Sequence, residues 1–419
     1  MPNLQPPISL YLHIPFCAHR GAYCDFNTYA GQEAMIPAYV DALTREIDFV
    51  GGRLPSPERR GAGGEVHTIF FGGGTPSLLS PQQFDSSLKS IRANFTLTDD
   101  VEITIEANPG TVTYANLLDL RSIGINRISF GVQSANAFEL KMLERAHNFF
   151  DVIEAVTSAR KAGFHNLNLD LIYGLPEQTL QTWQTTVKRI LDLHPEHISA
   201  YALTLEHGTP FGRWASKGLL PLPDPDLAAD MYEWASEILE ANGYEQYEIS
   251  NWAKQNSEFK IQNSEFACRH NLQYWRGLPY LAFGAGAHGY ADGYRYSNVL
   301  RIKTYIDRIT NSPILQSPIS NLAFPLSPAT VNQHRQSLTD DMSEFMMTGL
   351  RLTQEGVSAS EFEKRFNRKL ADAFGKEINE LLRLGLIESK TSEFSKNSEV
   401  LRLTKRGRLL GNQVFMQFV

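Results

Sequence analysis

Strand-like and helix-like runs alternate through the first half of this chain, and that alternation limits the folds open to it. Six short runs rich in β-branched and aromatic residues read as strands: Ile8–Ile14, Val66–Phe71, Val101–Glu106, Arg127–Val132, Asn166–Ile172 and His197–Leu203. Between them, Ile36–Val50, Pro81–Asn94, Tyr114–Ser122, Ala137–Arg145, Asp151–Ala162 and Leu180–Leu193 place apolar residues at helical spacing. Strand, helix, strand in this order argues for βαβ units and a parallel sheet, because parallel neighbours need a long crossover. Most of the strands are largely apolar, as expected when both faces are covered. Six units are too few for a closed eightfold barrel. The expected class is therefore α/β, a partial TIM-like (β/α)6 barrel, with a smaller and mainly helical C-terminal domain.

Three stretches interrupt the pattern. Gly51–Gly64 is a Gly/Pro/Arg loop. Gln255–Phe259 and Gln262–Phe266 both read QNSEF, a tandem duplication expected to be a surface insertion without function. Asn311–Gln333 is polar and interrupted by prolines, and reads as a linker. The expected division is a core over 1–250, a core extension over 251–310, the linker over 311–333 and a C-terminal domain over 334–419. That last part shows helical spacing near Met342–Leu352, Ser358–Phe366 and Ala371–Leu384, then two strand-like runs, an order that suggests a winged-helix-like module.

Bulk properties exclude several classes. The net charge of −7 argues against a nucleic-acid partner, which usually selects a basic domain. No run approaches the about 18 apolar residues of a membrane-spanning helix. Three cysteines, an odd number, do not make a disulfide framework, so a reducing, cytoplasmic setting is expected.

Chemistry in a parallel α/β barrel gathers at the C-terminal ends of the strands. Here those ends are polar or glycine-rich one after another. The first strand leads into Cys17 and Cys24, the second into Gly72–Gly73–Gly74–Thr75–Pro76, and the third ends at Glu106. Next come Gln133 after the fourth, Asp170 with Gly174 on the fifth, and Thr204 with Glu206 after the sixth. Any one of these is ordinary as a cap, a turn or a packed thiol. Six at one end of consecutive strands outline a cleft.

The residues Tyr11–Phe26 (YLHIPFCAHRGAYCDF), Phe70–Pro76 (FFGGGTP), Ile105–Gly110 (IEANPG), Arg127–Ser134 (RISFGVQS) and Asp170–Pro176 (DLIYGLP) closely resemble the radical S-adenosylmethionine (SAM) family around anaerobic coproporphyrinogen oxidase. The resemblance covers about residues 8–300 and implies a partial (β/α)6 barrel. It also implies a [4Fe-4S] cluster on three cysteines spaced Cys-x3-Cys-x2-Cys, with the fourth iron left for the amino and carboxylate groups of SAM. An electron then cleaves the sulfonium to a deoxyadenosyl radical. Carried over by position, Cys17 and Cys24 match the first and third ligands. Gly73, Gly74 and Thr75 match the cradle of the SAM amino-acid part, and Tyr11, Glu106, Gln133, Arg145 and Asp170 match other SAM-contacting positions. A carboxylate such as Asp170 suits a ribose diol, and Arg145 suits the SAM carboxylate.

Two departures bear on function. Gly21 stands where the second ligand cysteine belongs, and glycine offers no donor, so a weak or absent cluster is expected. His19, Asp25, water and Cys268 are the conceivable substitutes. In addition, the oxidase branch has a cysteine two residues after the third ligand, where this chain has Phe26. That resembles the haem-chaperone (HemW-type) branch, as does His270–Asn271–Leu272–Gln273–Tyr274–Trp275, which matches that branch's HNxxYW element. A histidine can ligate haem iron and aromatics can stack on a porphyrin. The resemblance thus implies a haem carrier that hands haem to an acceptor protein. The other class left open is a radical enzyme that decarboxylates porphyrinogen propionates, an oxygen-independent coproporphyrinogen III oxidase type.

Overall fold

The computed structural model describes residues 7–53, 65–255, 265–311, 327–391 and 399–419. Most of the Gly51–Gly64 loop, of the QNSEF pair and of the 311–333 stretch lies outside the described residues. Two compact units emerge: Met1–Tyr232 with Pro279–His334, and Glu233–Leu278 with Arg335–Val419. This division is not the contiguous one expected above. Residues 279–298 join the first unit as strands, while the HNxxYW element falls in the second.

In the first unit the six expected strands form, with ends moved by a few residues: β1 (Ile8–Ile14), β2 (Val66–Gly73), β3 (Leu97–Ala107), β4 (Arg127–Gln133), β5 (Leu167–Tyr173) and β6 (His197–Ala202). They pair in chain order and in parallel. Connecting them are α1 (Ile36–Gly51), α2 (Pro81–Asn94), α3 (Tyr114–Ser122), α4 (Ala137–Met142), α5 (Phe149–Lys161) and α6 (Leu180–Leu191). The local sequence sets several helix starts. Ser80 with Gln83, Asn148 with Asp151 and Thr179 with Thr182 form capping boxes, each satisfying two orphan backbone donors.

Four further strands extend the open edge at β1: β7 (Tyr280–Phe283), β8 (His288–Ala291), β9 (Tyr294–Asn298) and β10 (Thr330–Arg335). Of these, β7 runs parallel to β1 and the β7–β8 and β8–β9 pairs are antiparallel. Their brevity hides them from a search for periodic runs.

The strands are buried on both faces, but the faces are chemically different, which corrects the expectation of largely apolar strands. Leu10, Leu12, Ile69, Phe71, Ile103, Ile105, Ile128, Phe130, Leu167 and Leu169 are buried on one face. The alternate positions are Ser9, Tyr11, His13, Thr68, Thr104, Glu106, Arg127, Ser129, Asn168, Asp170, His197 and Ser199. A period of two separates the sets. Ser9 and Thr68 bond to each other across β1 and β2, and Ser129, Asn168 and Asp170 bond across β4 and β5. The polar face is therefore the inner one.

A buried carboxylate locks α1 to the edge extension. Glu46 is 1% exposed and accepts hydrogen bonds from Gly284 N (2.8 Å), Asn298 Nδ2 (2.8 Å), Tyr305 Oη (2.7 Å) and Ser327 Oγ (2.5 Å). Burial pushes its pKa up, and these four donors oppose the shift. Tyr305→Phe deletes one hydrogen bond to this carboxylate and is expected to cost about 2 kcal/mol, read as a lower denaturation midpoint at constant m-value.

The second unit holds the helices Leu338–Gly349, Ala359–Phe366 and Leu370–Arg383, then the antiparallel pair Ile387–Thr391 and Glu399–Leu403, which Val357–Ser358 joins as a third strand. Its core is aromatic, with Phe345, Phe362, Phe366, Phe374 and Phe418 in successive ring contacts.

Candidate functional site

The C-terminal ends of β1 to β5 bring the sequence-selected residues of the first unit together, joined by hydrogen bonds and strand register. Gly72–Gly74 leave β2 and run against the chain that follows β1: Gly74 N donates to Ile14 O (2.8 Å) and Thr75 N to Phe16 O (2.7 Å). A side chain at Gly73, whose φ is +113°, would strike the His13 ring, and one at Gly74 would strike the Phe16 carbonyl. These glycines are thus required by the close approach of this chain to itself.

From there a hydrogen-bonded path crosses the mouth. Thr75 Oγ1 donates to Cys17 Sγ (3.7 Å), and Asn108 Nδ2 donates to Thr75 Oγ1 (3.2 Å). Arg145 donates through Nη2 to Asn108 Oδ1 and to Gly131 O (2.8 Å), and its Nη1 lies 3.5 Å from Tyr23 Oη. The Arg145 Nε is buried and has no hydrogen-bond partner. The guanidinium as a whole is half-buried, and its planar donor fork suits a ligand carboxylate. Gln133 stands beside it in the left-handed region, at φ +69°, where a non-glycine residue is strained. Gly131 pairs in register with Asp170, so Thr75, Gln133 and Asp170 share this one mouth.

Two carboxylates form the floor. Glu106 Oε2 accepts from Gly73 N (2.9 Å), and its pKa is pushed up to about 7, by burial first and by Asp170 second. Asp170 accepts from Ser129 Oγ (2.7 Å) and Asn168 Nδ2 (2.7 Å); burial raises its pKa against these donors. Tyr11 donates or accepts at His13 Nδ1 (2.9 Å), and burial raises its phenol further above the usual range, with Glu106 adding to the effect. Tyr11, Glu106, Gln133, Arg145 and Asp170 are each partly exposed, as residues facing an open cavity should be.

The loop after β1 holds Cys17, buried, and Cys24, half-buried. Burial pushes the Cys17 thiol up, the Thr75 hydrogen bond opposes this, and the neighbouring Cys24 raises it further. A β-carbon at Gly21 would lie 2.9 Å from Tyr23 Cε1 and 3.0 Å from Leu143 O. The Tyr23 ring therefore fills the space where a second ligand side chain would begin. His19 reaches Glu144 instead (3.3 Å). Among the described residues no group of three or more His, Cys, Asp or Glu side chains is placed to hold a metal ion. The half-buried carboxylates and guanidinium at the strand ends have the chemistry to hold SAM, whereas the two-thiol loop does not supply the three ligands of a four-iron cluster.

In the second unit His270 and Cys268 are buried. His270 Nε2 pairs with Tyr274 Oη at 2.8 Å, the rings near perpendicular at 83°. Trp275 lies under the Arg351 guanidinium at 4.2 Å, and Arg351 bonds the buried Glu248 at 3.3 Å. The HNxxYW element thus ties its own helix, Arg269–Trp275, to the C-terminal part of its unit. Sequence reasoning assigned no role to Asn108, Tyr23 or Asn168. The IEANPG motif contains the first and the YLHIPFCAHRGAYCDF motif the second, whereas Asn168 had no signal beyond its place on a strand.

Comparison with known proteins agrees with this geometry. Residues 11–190 match the radical SAM superfamily and residues 336–410 the HemN C-terminal domain. The chain is 37% identical to the Heme chaperone HemW of Bacillus subtilis, over 98% of this chain and 99% of that one. It is 41% identical to the Escherichia coli Heme chaperone HemW, over 68% and 70% of the two chains. In fold it resembles the coproporphyrinogen III oxidase (HemN) of Escherichia coli, with a TM-score of 0.77 at 24% identity, covering 100% of this chain and 91% of that one. No helix among the described residues is long and apolar enough to cross a membrane.

Proposed function

Because the chain belongs to the HemW haem chaperones of the radical SAM superfamily, we propose that it takes up haem and passes it to an acceptor protein, while its barrel binds SAM. One observation carries this reading: the match to a protein named as a haem chaperone runs over 98% of this chain, through both units. Phe26, 69% exposed, stands where the oxidase branch has a further cysteine, which also favours the carrier over the decarboxylase.

Haem is the cargo, and His270 is the residue we assign to its iron. The imidazole is held by Tyr274, so ligation through Nε2 requires the tyrosine hydroxyl to give way. Haem titration of His270→Ala is the test. An affinity at least about 10-fold lower with a shifted Soret band is expected, since neutral imidazole is a strong haem ligand. Binding and spectrum unchanged from the parent would remove His270 from the role.

In the barrel, Arg145 would take the SAM carboxylate, Asp170 the ribose hydroxyls, and Tyr11, Glu106 and Gln133 the remaining polar edges, with Gly73, Gly74 and Thr75 shaping the wall. SAM supplies a cationic sulfonium bonded to an adenosyl group. With Cys17 and Cys24 alone on the loop, we infer that a four-iron cluster is held weakly or not at all, and that SAM here is a bound ligand rather than a radical source.

A further inference from the structure

Behind Asp170 the inner face of β4, β5 and β6 is a closed polar layer. Ser129 is 5% exposed, Asn168 3%, Ser199 2% and His197 0%. In register, Ser129 pairs with Asn168 and Asn168 with His197, while Asp170 pairs with Ser199, so these side chains occupy two successive levels of the barrel.

Donor counting orders the hydrogen bonds around Asn168, with Ser199 placed between its amide oxygen and Asp170. Asn168 Nδ2 donates to Asp170 Oδ1 (2.7 Å) and to Ser129 Oγ (2.7 Å). An amide NH2 has two hydrogens, and both are now used. The amide oxygen must therefore accept, and it receives His197 Nδ1 (2.6 Å) and Ser199 Oγ (3.1 Å). His197 Nδ1 faces an amide oxygen that can only accept, so Nδ1 carries a proton; burial first and Arg127 second hold the ring's pKa well below the usual range. Ser129 accepts from Asn168, and its own hydrogen goes to Asp170 Oδ2 (2.7 Å). Every donor in the chain points the same way, from His197 through Asn168 and Ser129 to Asp170. The carboxylate at the end receives a hydrogen bond on each oxygen and has none to give.

We propose that Asn168 is a positioning residue that fixes Asp170 as an acceptor-only carboxylate and thereby makes the pocket select ligands with a vicinal diol. Asp170 stays half-buried, and its remaining lone pairs are satisfied only by donors. A ribose offers two hydroxyl donors; a deoxygenated sugar leaves each carboxylate oxygen with only its protein donors, short of the bonds a desolvated charge requires. Without Asn168 the carboxylate loses its fixed plane and can turn or take a proton, and the distinction fades. This inference rests on the barrel binding SAM.

Isothermal titration of S-adenosylhomocysteine and its 2′,3′-dideoxy analogue tests it on the full chain. The parent is expected to prefer the diol by at least about 10-fold. Asn168→Leu, of similar volume, is expected to lose most of that preference by weakening the diol ligand while changing the dideoxy ligand little. Ser129→Ala, a smaller change that removes one donor to Asp170, should lose part of it and guards against misfolding of the first variant. Equal loss for both ligands in both folded variants would make Asn168 merely structural and overturn the proposal. An undiminished preference would do the same. A parent that binds neither ligand would instead overturn the SAM reading beneath it.

Discussion

Gly21→Cys is expected to turn a chain that retains little iron into one that holds about four irons after anaerobic reconstitution with iron and sulfide. A four-iron cluster needs three thiolates here, and Cys17 and Cys24 already stand near each other on the loop, close enough that Cys24 raises the cost of ionising Cys17. The backbone at Gly21 is outside the left-handed region, so cysteine meets no conformational barrier there. The obstacle is the Tyr23 ring at 2.9 Å and the Leu143 carbonyl at 3.0 Å from the new β-carbon. A displacement of a few tenths of an ångström by an aromatic ring at a half-exposed loop is a small cost beside three iron–thiolate bonds. Gly21→Ser serves as the control of equal bulk without a thiolate and should stay iron-poor. The measurements are iron and acid-labile sulfide per chain, with visible absorbance. Near four irons in the parent would sink the claim that the loop is deficient.

The second large effect concerns Glu106. With its pKa near 7, the side chain is mostly protonated at pH 6 and mostly ionised at pH 8. SAM brings a fixed positive sulfonium and a protonated amine, which the ionised form attracts. Affinity for SAM should therefore rise about 10-fold from pH 6 to pH 8, the ratio of ionised fractions for a group titrating at 7. Glu106→Gln should flatten this profile and weaken binding at pH 8 by about 100-fold, typical for removing a buried charged partner. Stability should move in the opposite direction. A carboxylate whose folded pKa exceeds its unfolded value contributes stability that is full below pH 4.5 and is lost as pH rises through about 7. At pH 8 the parent lacks up to about 3 kcal/mol on this account, less whatever water reaching the pocket screens. Glu106→Gln keeps an acceptor for Gly73 N and removes the repulsion from Asp170. The unliganded variant should thus melt a few degrees higher than the parent at pH 8 and not at pH 5. A variant that binds SAM as well as the parent, or melts lower at pH 8, would contradict the assignment.

Such a trade, a less stable resting site for a better ligand site, is common where buried groups are kept for function. Asp170 has the same sign of shift and lies at the same floor. The strand ends therefore concentrate two destabilised carboxylates and one strained backbone position at Gln133 beside the Arg145 guanidinium.

Much of this was readable from the amino-acid order. Parallel strands joined by helices present all their C-terminal ends at one face, so Cys17, Gly73, Glu106, Gln133 and Asp170 had to meet once the βαβ pattern was recognised. Chain order alone decides that, because a crossover returns each strand in the same direction. Gly21 was equally plain, since an absent thiol needs no coordinates. Only the folded molecule decided which strand face is inner, because a period of two sorts residues into two sets without saying which way the sheet curls. It alone showed Tyr23 in the space beside Gly21, Tyr274 closed over His270, and the one-way chain of donors ending on Asp170. Those are contacts between side chains brought together by tertiary packing, and hydrogen-bond direction depends on partners that spacing along a chain does not reveal.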